Sequence, residues 1–187
     1  MSKLAKRPAT YDDLLKVPDH LVAELVEGEL HTSPRPGSPH ALAASVLGAS
    51  ILTNFHGGGG RGGWWILDEP ELHLGPNVLV PDIAGWRRER MPAIPRTAAF
   101  ELAPDWVCEV VSPATGRLDR VRKLPAYARH EVGHAWLIDP EQQTLEAYRL
   151  EHSRWVLVPS HEGEDVVRVE PFDAIEIPLG TLWLPVA

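Results

Sequence analysis

The sequence has little cysteine, no long apolar run and no excess of basic charge. Its 187 residues include one cysteine, Cys108, which excludes an intrachain disulfide and a multi-cysteine zinc site. No run of about 18 apolar residues occurs, so no membrane span is expected. The basic N-terminus is not followed by the apolar stretch of a secretory signal. We therefore expect a cytoplasmic protein without a membrane partner.

The charge is unevenly distributed along the chain. The formal net charge is −8, from 18 Lys and Arg against 26 Asp and Glu, so overall composition does not indicate nucleic-acid binding. Residues 86–96 and residues 117–123 nevertheless each carry four basic side chains against one acid. Such segments are usually solvated surface, and this interpretation stays open beside a binding role.

The order of predicted elements indicates one domain over residues 1–187, with a flexible N-terminus at 1–9. A capping box at Thr10 and Asp13 predicts a short helix over residues 11–16. Ser38 as N-cap, followed by an apolar stripe, predicts a longer helix that ends at residues 57–60. A third predicted helix, residues 118–130, contains Pro125, which kinks it or begins a new segment. Strands are predicted at residues 21–32, 64–74, 78–86, 105–111, 135–139, 144–150, 154–159, 166–170 and 174–177.

This order predicts an α/β or α+β fold, with a central mixed β-sheet flanked by helices and extra C-terminal hairpins. Three carboxylates fall on apolar faces of predicted strands, where side chains alternate between the two faces. Glu109 is the only ionisable residue of an otherwise apolar strand, and Asp82 and Glu24 each share a face with valines. An unpaired buried carboxylate costs several kcal/mol, about the scale of a broken buried ion pair. A shared Mg²⁺ ion would relieve all three, because hard cations prefer carboxylate oxygens.

A lysine follows the Glu109 strand on the predicted third helix. Lys123 is 14 residues after Glu109, and a helix that packs back on the sheet would bring the two together. The alternative is a surface lysine paired with Asp119, four residues earlier on the same helix. Spacing alone leaves both possibilities open.

These residues together resemble the Uma-two family, which belongs to the PD-(D/E)xK nuclease superfamily. The resemblance covers roughly residues 11–177, and its specificity lies in the ordered set rather than in any short motif. It is carried by the segments Ala23–Leu30, Val80–Asp82, Trp106–Pro113 and Gly133–Pro140, with His40, Asp119, Lys123 and Tyr127.

The resemblance implies a restriction-endonuclease-like core and a metal-dependent endonuclease acting on DNA. It implies Asp82 and Glu109 as metal ligands for Mg²⁺ or Mn²⁺, Glu24 as an accessory acid and Lys123 as the active-site lysine. His40 and Tyr127 are possible accessory residues. The chain departs from the superfamily motif at Val111, where the superfamily has lysine, and Lys123 matches the position to which the Uma-two lysine has moved.

Several further expectations depend on this interpretation. The arginines that would contact DNA phosphates are Arg87, Arg88, Arg117, Arg120 and Arg122. A homodimer is expected, because cutting two strands often takes two sites related by a twofold axis. Two alternatives remain: a catalytically inactive nuclease fold that binds nucleic acid or protein, and a cupin-like metalloenzyme, for which the clustered histidines are missing.

Overall fold

The strands form two main sheets joined by short crossings. The computed structural model describes residues 7–56 and 62–185. The strands are β1 (Leu21–Val26), β2 (Glu29–Pro34), β3 (Trp64–Asp68), β4 (Leu72–Leu74), β5 (Asn77–Leu79), β6 (Ile83–Arg87), β7 (Trp106–Val110), β8 (His134–Asp139), β9 (Thr144–Glu151), β10 (Arg154–Leu157), β11 (His161–Glu162), β12 (Val166–Val167) and β13 (Ile177–Pro178). The helices are α1 (Tyr11–Leu14), α2 (Ser38–Ile51), α3 (Gly116–Leu118) and α4 (Leu124–Arg129), with π-helical segments at Leu52–His56 and Asp119–Lys123 and a 3₁₀ turn at Leu179–Leu182.

The larger sheet is mixed, as predicted. Its strand order is β10-β9-β8-β7-β6-β3, with β11 beside β9. Only β7 and β8 pair in parallel, and the helical segment between them supplies the crossover that a parallel pair requires. The smaller sheet is antiparallel, in the order β2-β1-β5-β4. Strands β12 and β13 pair with each other near the C-terminus.

Two predicted strands, residues 64–74 and 78–86, are each divided between the two sheets, so those predictions were wrong. The first breaks at Pro70, with β3 in the larger sheet and β4 in the smaller one. The second breaks at Pro81, between β5 and β6. Proline has no amide hydrogen to donate to a ladder, so pairing stops there and the chain changes sheets. The two breaks lie side by side, since the Glu69 amide donates to the Asp82 carbonyl over 3.0 Å.

Helix α2 packs on one face of the larger sheet. Its buried residues Ala43, Leu47 and Ile51 join a core with Trp106, Trp136 and the C-terminal segment around Phe172. Gly37, rather than the predicted Ser38, is the N-cap, and Ser38 and Pro39 begin the helix. The residues predicted to end it, 57–60, lie outside the described ranges, as do residues 1–6 of the predicted flexible N-terminus.

The predicted third helix is one unbroken helical run over residues 116–129, but it changes from α-helix to π-helix and back. A turn of α3 leads into a π-helical segment, and α4 begins at Leu124 with Pro125 in its first turn, where a missing amide hydrogen costs little. The capping box of α1 is present, although the helix ends at Leu14. The two C-terminal strands are shorter than predicted, two residues each. In the part of the chain that the structure describes, no helix has the length and apolar character to cross a membrane.

Candidate active site

Glu109 lies on β7, whose five residues are all buried because layers cover both faces of this central strand. Its side chain is 4% exposed, and both carboxylate oxygens accept hydrogen bonds. Lys123 Nζ donates to Oε2 over 2.9 Å, and the buried Tyr127 hydroxyl donates to Oε1 over 2.6 Å. Burial raises the pKa of Glu109 well above its ordinary value, and the positive charge of Lys123 offsets only part of this effect.

Lys123 ends the π-helical segment and points toward the sheet, with a side chain 3% exposed. Its ammonium group lies 2.9 Å from Glu24 Oε1, in addition to its contact with Glu109, and 3.7 Å from Asp119 Oδ1. Burial lowers the pKa of Lys123, but the charges of Glu109 and Glu24 outweigh it, so the net pKa is well raised. The lysine is therefore held charged, and both the contact with Glu109 and the helical contact with Asp119 are present.

Glu24 enters the same cluster from β1 of the smaller sheet. Its Oε1 accepts a hydrogen bond from the Val80 amide over 2.8 Å, and the Val80 carbonyl accepts one from Lys123 over 3.3 Å. The crossing at Pro81 leaves these backbone groups outside the ladder, which makes them available to side chains. Glu24 and Lys123 thus tie the two sheets together at the crossing.

Asp82 stands at the crossing itself, immediately before β6. Its Oδ2 accepts a hydrogen bond from the Val110 amide over 2.7 Å, so the carboxylate lies beside the end of the Glu109 strand. His40, from the first turn of α2, places Nε2 3.1 Å from Asp82 Oδ1. Burial lowers the pKa of His40, but the hydrogen bond and charge of Asp82, together with the charges of Asp119 and Glu69, raise it by more, so the pKa is higher than usual.

A small pocket opens where these side chains meet. It holds about 60 Å³, and it is lined by Asp82 and His40, with side chains 16% and 13% exposed, and by the exposed Glu69. The β2 end and the segment after β7 form its other walls through Ser33, Pro34, Ser112 and Thr115. This volume admits a few groups the size of water.

Asp119 also lines this pocket, and the sequence analysis did not place it in the site. Its side chain is 3% exposed, and burial raises its pKa to about 6 despite the charge of Lys123 and a hydrogen bond from Thr115. The signal was the four-residue spacing to Lys123, which by itself equally predicts a surface ion pair. The π-helical segment instead directs Asp119 and Lys123 inward and leaves Arg120 and Arg122 exposed.

Asp119→Asn is expected to change the pH dependence of stability in metal-free protein. The folded pKa of about 6 exceeds the ordinary 3.8, so the stability that protonated Asp119 contributes is lost as pH rises through about 6. Asparagine does not titrate. The unfolding free energy of the variant should therefore gain about 2.5 kcal/mol relative to wild type between about pH 4 and pH 8. Urea denaturation in EDTA measures it, with the exposed-site variant Asp173→Asn as control, and a pH-independent difference would contradict it.

Tyr127→Phe is expected to destabilise the protein by about 1–3 kcal/mol, because Glu109 Oε1 loses its donor in a buried site. Tyr148→Phe is the matched control: its hydroxyl also donates to a carboxylate, Glu146, but in a partly exposed position. Urea denaturation of both variants provides the comparison. Equal losses of unfolding free energy in the two variants would mean that the buried Tyr127–Glu109 hydrogen bond stabilises the protein no more than the partly exposed one.

Arg87 and Arg88, predicted to contact DNA, do not lie at this pocket. Arg87 is the last residue of β6 and Arg88 follows it, so both lie at the opposite end of this strand from Asp82. Arg87 stacks over the Trp64 ring at 4.6 Å, and Arg88 stacks over the Trp65 ring at 3.7 Å. Arg88 also donates to the backbone carbonyls of His56 and Trp64.

Arg117, Arg120 and Arg122 lie closer, on the segment that carries Asp119 and Lys123. Arg120 is paired with Glu146, and Arg122 donates to Glu27 over 2.6 Å. Arg117 is exposed and makes no ion pair with the rest of the described chain. The five arginines therefore do not form one continuous rim.

The donor chemistry of the pocket fits a divalent cation. Five carboxylates and one ammonium group line the pocket, and two of the carboxyl groups, Glu109 and Asp119, have raised pKa values because they are buried; the five are Glu24, Glu69, Asp82, Glu109 and Asp119. A cation bound to carboxylate oxygens would offset this excess charge, and hard oxygen donors suit Mg²⁺ and Mn²⁺. Over residues 7–56 and 62–185, no group of three or more His, Cys, Asp and Glu side chains is arranged as a metal cluster. Asp82 and Glu109 supply two side-chain ligands, so other ligands would have to complete the coordination of the cation.

Comparison with known families gives one family match. The model of the Uma2 family, described as "Putative restriction endonuclease", matches residues 8–180. The chain belongs to the Uma2 family. A search of curated proteins gives no match. Among solved structures, the Uma2 chain is similar to a protein from Anabaena variabilis ATCC 29413, described as "a putative nuclease belonging to DUF820". The TM-score is 0.76 and the sequence identity 25%, over 94% of this chain and 97% of that one.

The family match and the structural similarity confirm the predicted family and a fold consistent with a restriction-endonuclease-like core. Within this Uma2 fold, Val111 is buried and belongs to a hydrophobic core that also contains Val107, Tyr127 and Leu137. The position where the superfamily motif has lysine is therefore occupied by an apolar packed side chain. The ammonium group that reaches Glu109 comes from Lys123.

Proposed function

We propose that the chain is a divalent-metal-dependent endonuclease that hydrolyses DNA phosphodiester bonds at the pocket between Asp82 and Glu109. One observation carries the proposal: a buried, charged lysine lies 2.9 Å from Glu109 beside a carboxylate that opens to solvent. The description of the Uma2 family, "Putative restriction endonuclease", supports DNA as the substrate. The proposed catalytic residues are Asp82, Glu109, Lys123 and Glu24.

Asp82 and Glu109, with the Val110 backbone carbonyl, would hold Mg²⁺ or Mn²⁺. Restriction-endonuclease-like families generally use divalent metals, which supports this assignment. The chemistry that such an ion supplies is neutralisation of charge on a phosphate oxygen and a lowered pKa of water. His40 and the Val110 amide fix the two oxygens of Asp82, and Tyr127 fixes one oxygen of Glu109.

Lys123 provides the fixed positive charge of the site. An ammonium group that is already oriented before the reaction stabilises negative charge developing on the phosphoryl oxygens without reorganisation. Glu24 and Glu109 hold Nζ in place from two sides, at 2.9 Å each. Glu24 thus acts on the site by orienting the lysine.

Plasmid nicking tests the proposal. Wild-type protein should convert supercoiled plasmid to open circles in Mg²⁺ or Mn²⁺, and EDTA should stop the conversion. Asp173→Asn, which changes an exposed acid, should cut like wild type. If the protein nicks plasmid in neither Mg²⁺ nor Mn²⁺, or if nicking persists in EDTA, the proposal is contradicted.

One observation favours the alternative of a catalytically inactive nuclease fold. Both Glu109 oxygens are occupied by Lys123 and Tyr127, and the described residues offer no ready-made cluster of three ligands. Nucleic-acid binding without metal binding would support that alternative. The homodimer and the single domain over residues 1–187 stay predictions.

A further inference from the structure

A groove next to the candidate active site combines an apolar floor with basic edges. It has a volume of about 460 Å³ and runs along the outer side of the segment between β7 and α4. Ala114, Leu118 and Val121 form the floor, and Val121 is 56% exposed. Arg117, Arg122 and His31 stand at the edges. We call this feature the nucleotide groove.

The nucleotide groove lies beside the candidate active pocket. On one wall, Ser33 lines the pocket and His31 lines the groove; these alternate residues of β2 share a face of the smaller sheet. On the other wall, Thr115 and Asp119 line the pocket, and their chain neighbours Ala114 and Leu118 line the groove. A strand with a phosphate at Asp82 would therefore extend into this groove.

The charge around the groove is positive although the chain is acidic overall. Glu27 accepts hydrogen bonds from both Arg122 and Arg129, at 2.6 and 2.7 Å, so its charge is neutralised. Among the residues that line the groove, Arg117 and Arg122 against Glu27 give two positive charges and one negative charge, a local excess of +1 with His31 neutral. Arg117 has its guanidinium exposed for a ligand. Such an edge complements phosphate groups.

The apolar floor distinguishes one form of nucleic acid from another. A duplex stacks its base faces internally and presents its phosphate backbone outward, whereas an unpaired nucleotide can lay its base on apolar side chains. The active pocket, at about 60 Å³, is smaller than the groove beside it, at about 460 Å³. The groove therefore suits a base with flanking phosphates on the two arginines.

We propose that the nucleotide groove binds an unpaired nucleotide of a DNA strand whose neighbouring phosphate enters the candidate active site. The substrate is then single-stranded or branched DNA rather than continuous duplex. This inference rests on the proposed endonuclease function.

Fluorescence anisotropy in EDTA tests the groove without any cleavage. The probes are a short labelled oligothymidylate and a labelled duplex of the same length. Wild type should bind the single strand at least about tenfold more tightly than the duplex, as contact with an unpaired base provides. Equal or tighter binding of the duplex, or no binding of the strand, would overturn the proposal.

Two groove variants separate the charge from the floor. Arg117→Gln should weaken binding and make the dependence of log K on log salt shallower by about 0.7, the value for one phosphate contact of a single strand. Val121→Ser should weaken binding without changing this salt dependence. Arg154→Gln is the control, an exposed arginine on β10 outside the groove. Wild-type affinity in both groove variants would overturn the proposal.

Failure of the groove and failure of the endonuclease proposal give different results. Single-strand preference that needs Arg117 and Val121, in a protein that cuts no DNA, would leave the groove assigned and reject the endonuclease. Metal-dependent cutting of duplex DNA without a preference for single strands would support the endonuclease and reject the groove proposal.

Discussion

Lys123→Met is expected to lower the free energy of unfolding by about 3–5 kcal/mol near neutral pH, because removing one partner of a buried ion pair leaves the others uncompensated. Glu24 and Glu109 each lie 2.9 Å from the ammonium group, and both side chains are less than a tenth exposed. The variant must therefore bury charged carboxylates without a cation or protonate them. Urea denaturation in EDTA measures the loss. Lys16→Met, at an exposed lysine near the N-terminus, should have little effect.

The double variant Lys123→Met/Glu109→Gln tests the cause of this loss. The second substitution removes one of the stranded charges, so the double variant should be more stable than Lys123→Met alone and the two effects should not add. Partial recovery of Lys123→Met at about pH 5 is also expected, because burial raises the pKa values of Glu109 and Asp119 and protonation then becomes favourable. Additive effects, or a loss of unfolding free energy below about 1 kcal/mol, would show that the buried ion cluster does not stabilise the junction between the two sheets.

Asp82→Asn is expected to reduce metal-dependent nicking by at least about 100-fold while the fold is kept. Loss of groups that only support a ligand already costs about 10–100-fold in affinity or activity, so loss of the proposed ligand itself should cost more. The asparagine carbonyl can still accept the hydrogen bond from the Val110 amide, and its amide group can face His40. We therefore expect an unfolding free energy within about 1 kcal/mol of wild type in EDTA, as for loss of one hydrogen-bond partner.

Nicking rates measured at increasing Mn²⁺ concentrations show whether Asp82→Asn is slow because it has lost a metal ligand. If Asp82 holds the ion, the variant should need far more Mn²⁺ and should remain slower than wild type at every concentration. Asp173→Asn should follow the wild-type curve. Nicking by Asp82→Asn at the wild-type rate would place the metal elsewhere or show that cutting does not need it.

The sequence predicted the burial of Glu109 well, because strand alternation is a local property and β7 is apolar on both faces. It could not show which groups meet Glu109. Lys123 reaches it from a π-helical segment, and Tyr127 from α4, and the orientation of both depends on a change of helical pitch that spacing does not encode. Asp119 was missed for the same reason, because an inward acid and a surface acid have the same four-residue spacing to Lys123.

The division into two sheets was also beyond sequence patterns. A proline inside a predicted strand marks a local weakness in pairing, and a bulge or an edge position would explain Pro70 or Pro81 equally well. The chain instead passes from one sheet to the other at both prolines, which depends on pairing between β1 and β5 across some 50 residues of sequence. This crossing releases the Val80 backbone groups to Glu24 and Lys123 and exposes Asp82 at the pocket.

If Asp82 and Glu109 bind a divalent cation that is used to cut DNA, metal binding and cutting must depend on the same carboxylates. Calorimetric titration of Mg²⁺ and Mn²⁺ into wild type and Asp82→Asn, with plasmid nicking measured on the same preparations, tests it most directly. Saturable binding and nicking in wild type, both lost in the variant, is the predicted result. Wild-type protein that is folded but binds neither ion would contradict the claim and would make the carboxylate cluster a structural tie between the two sheets.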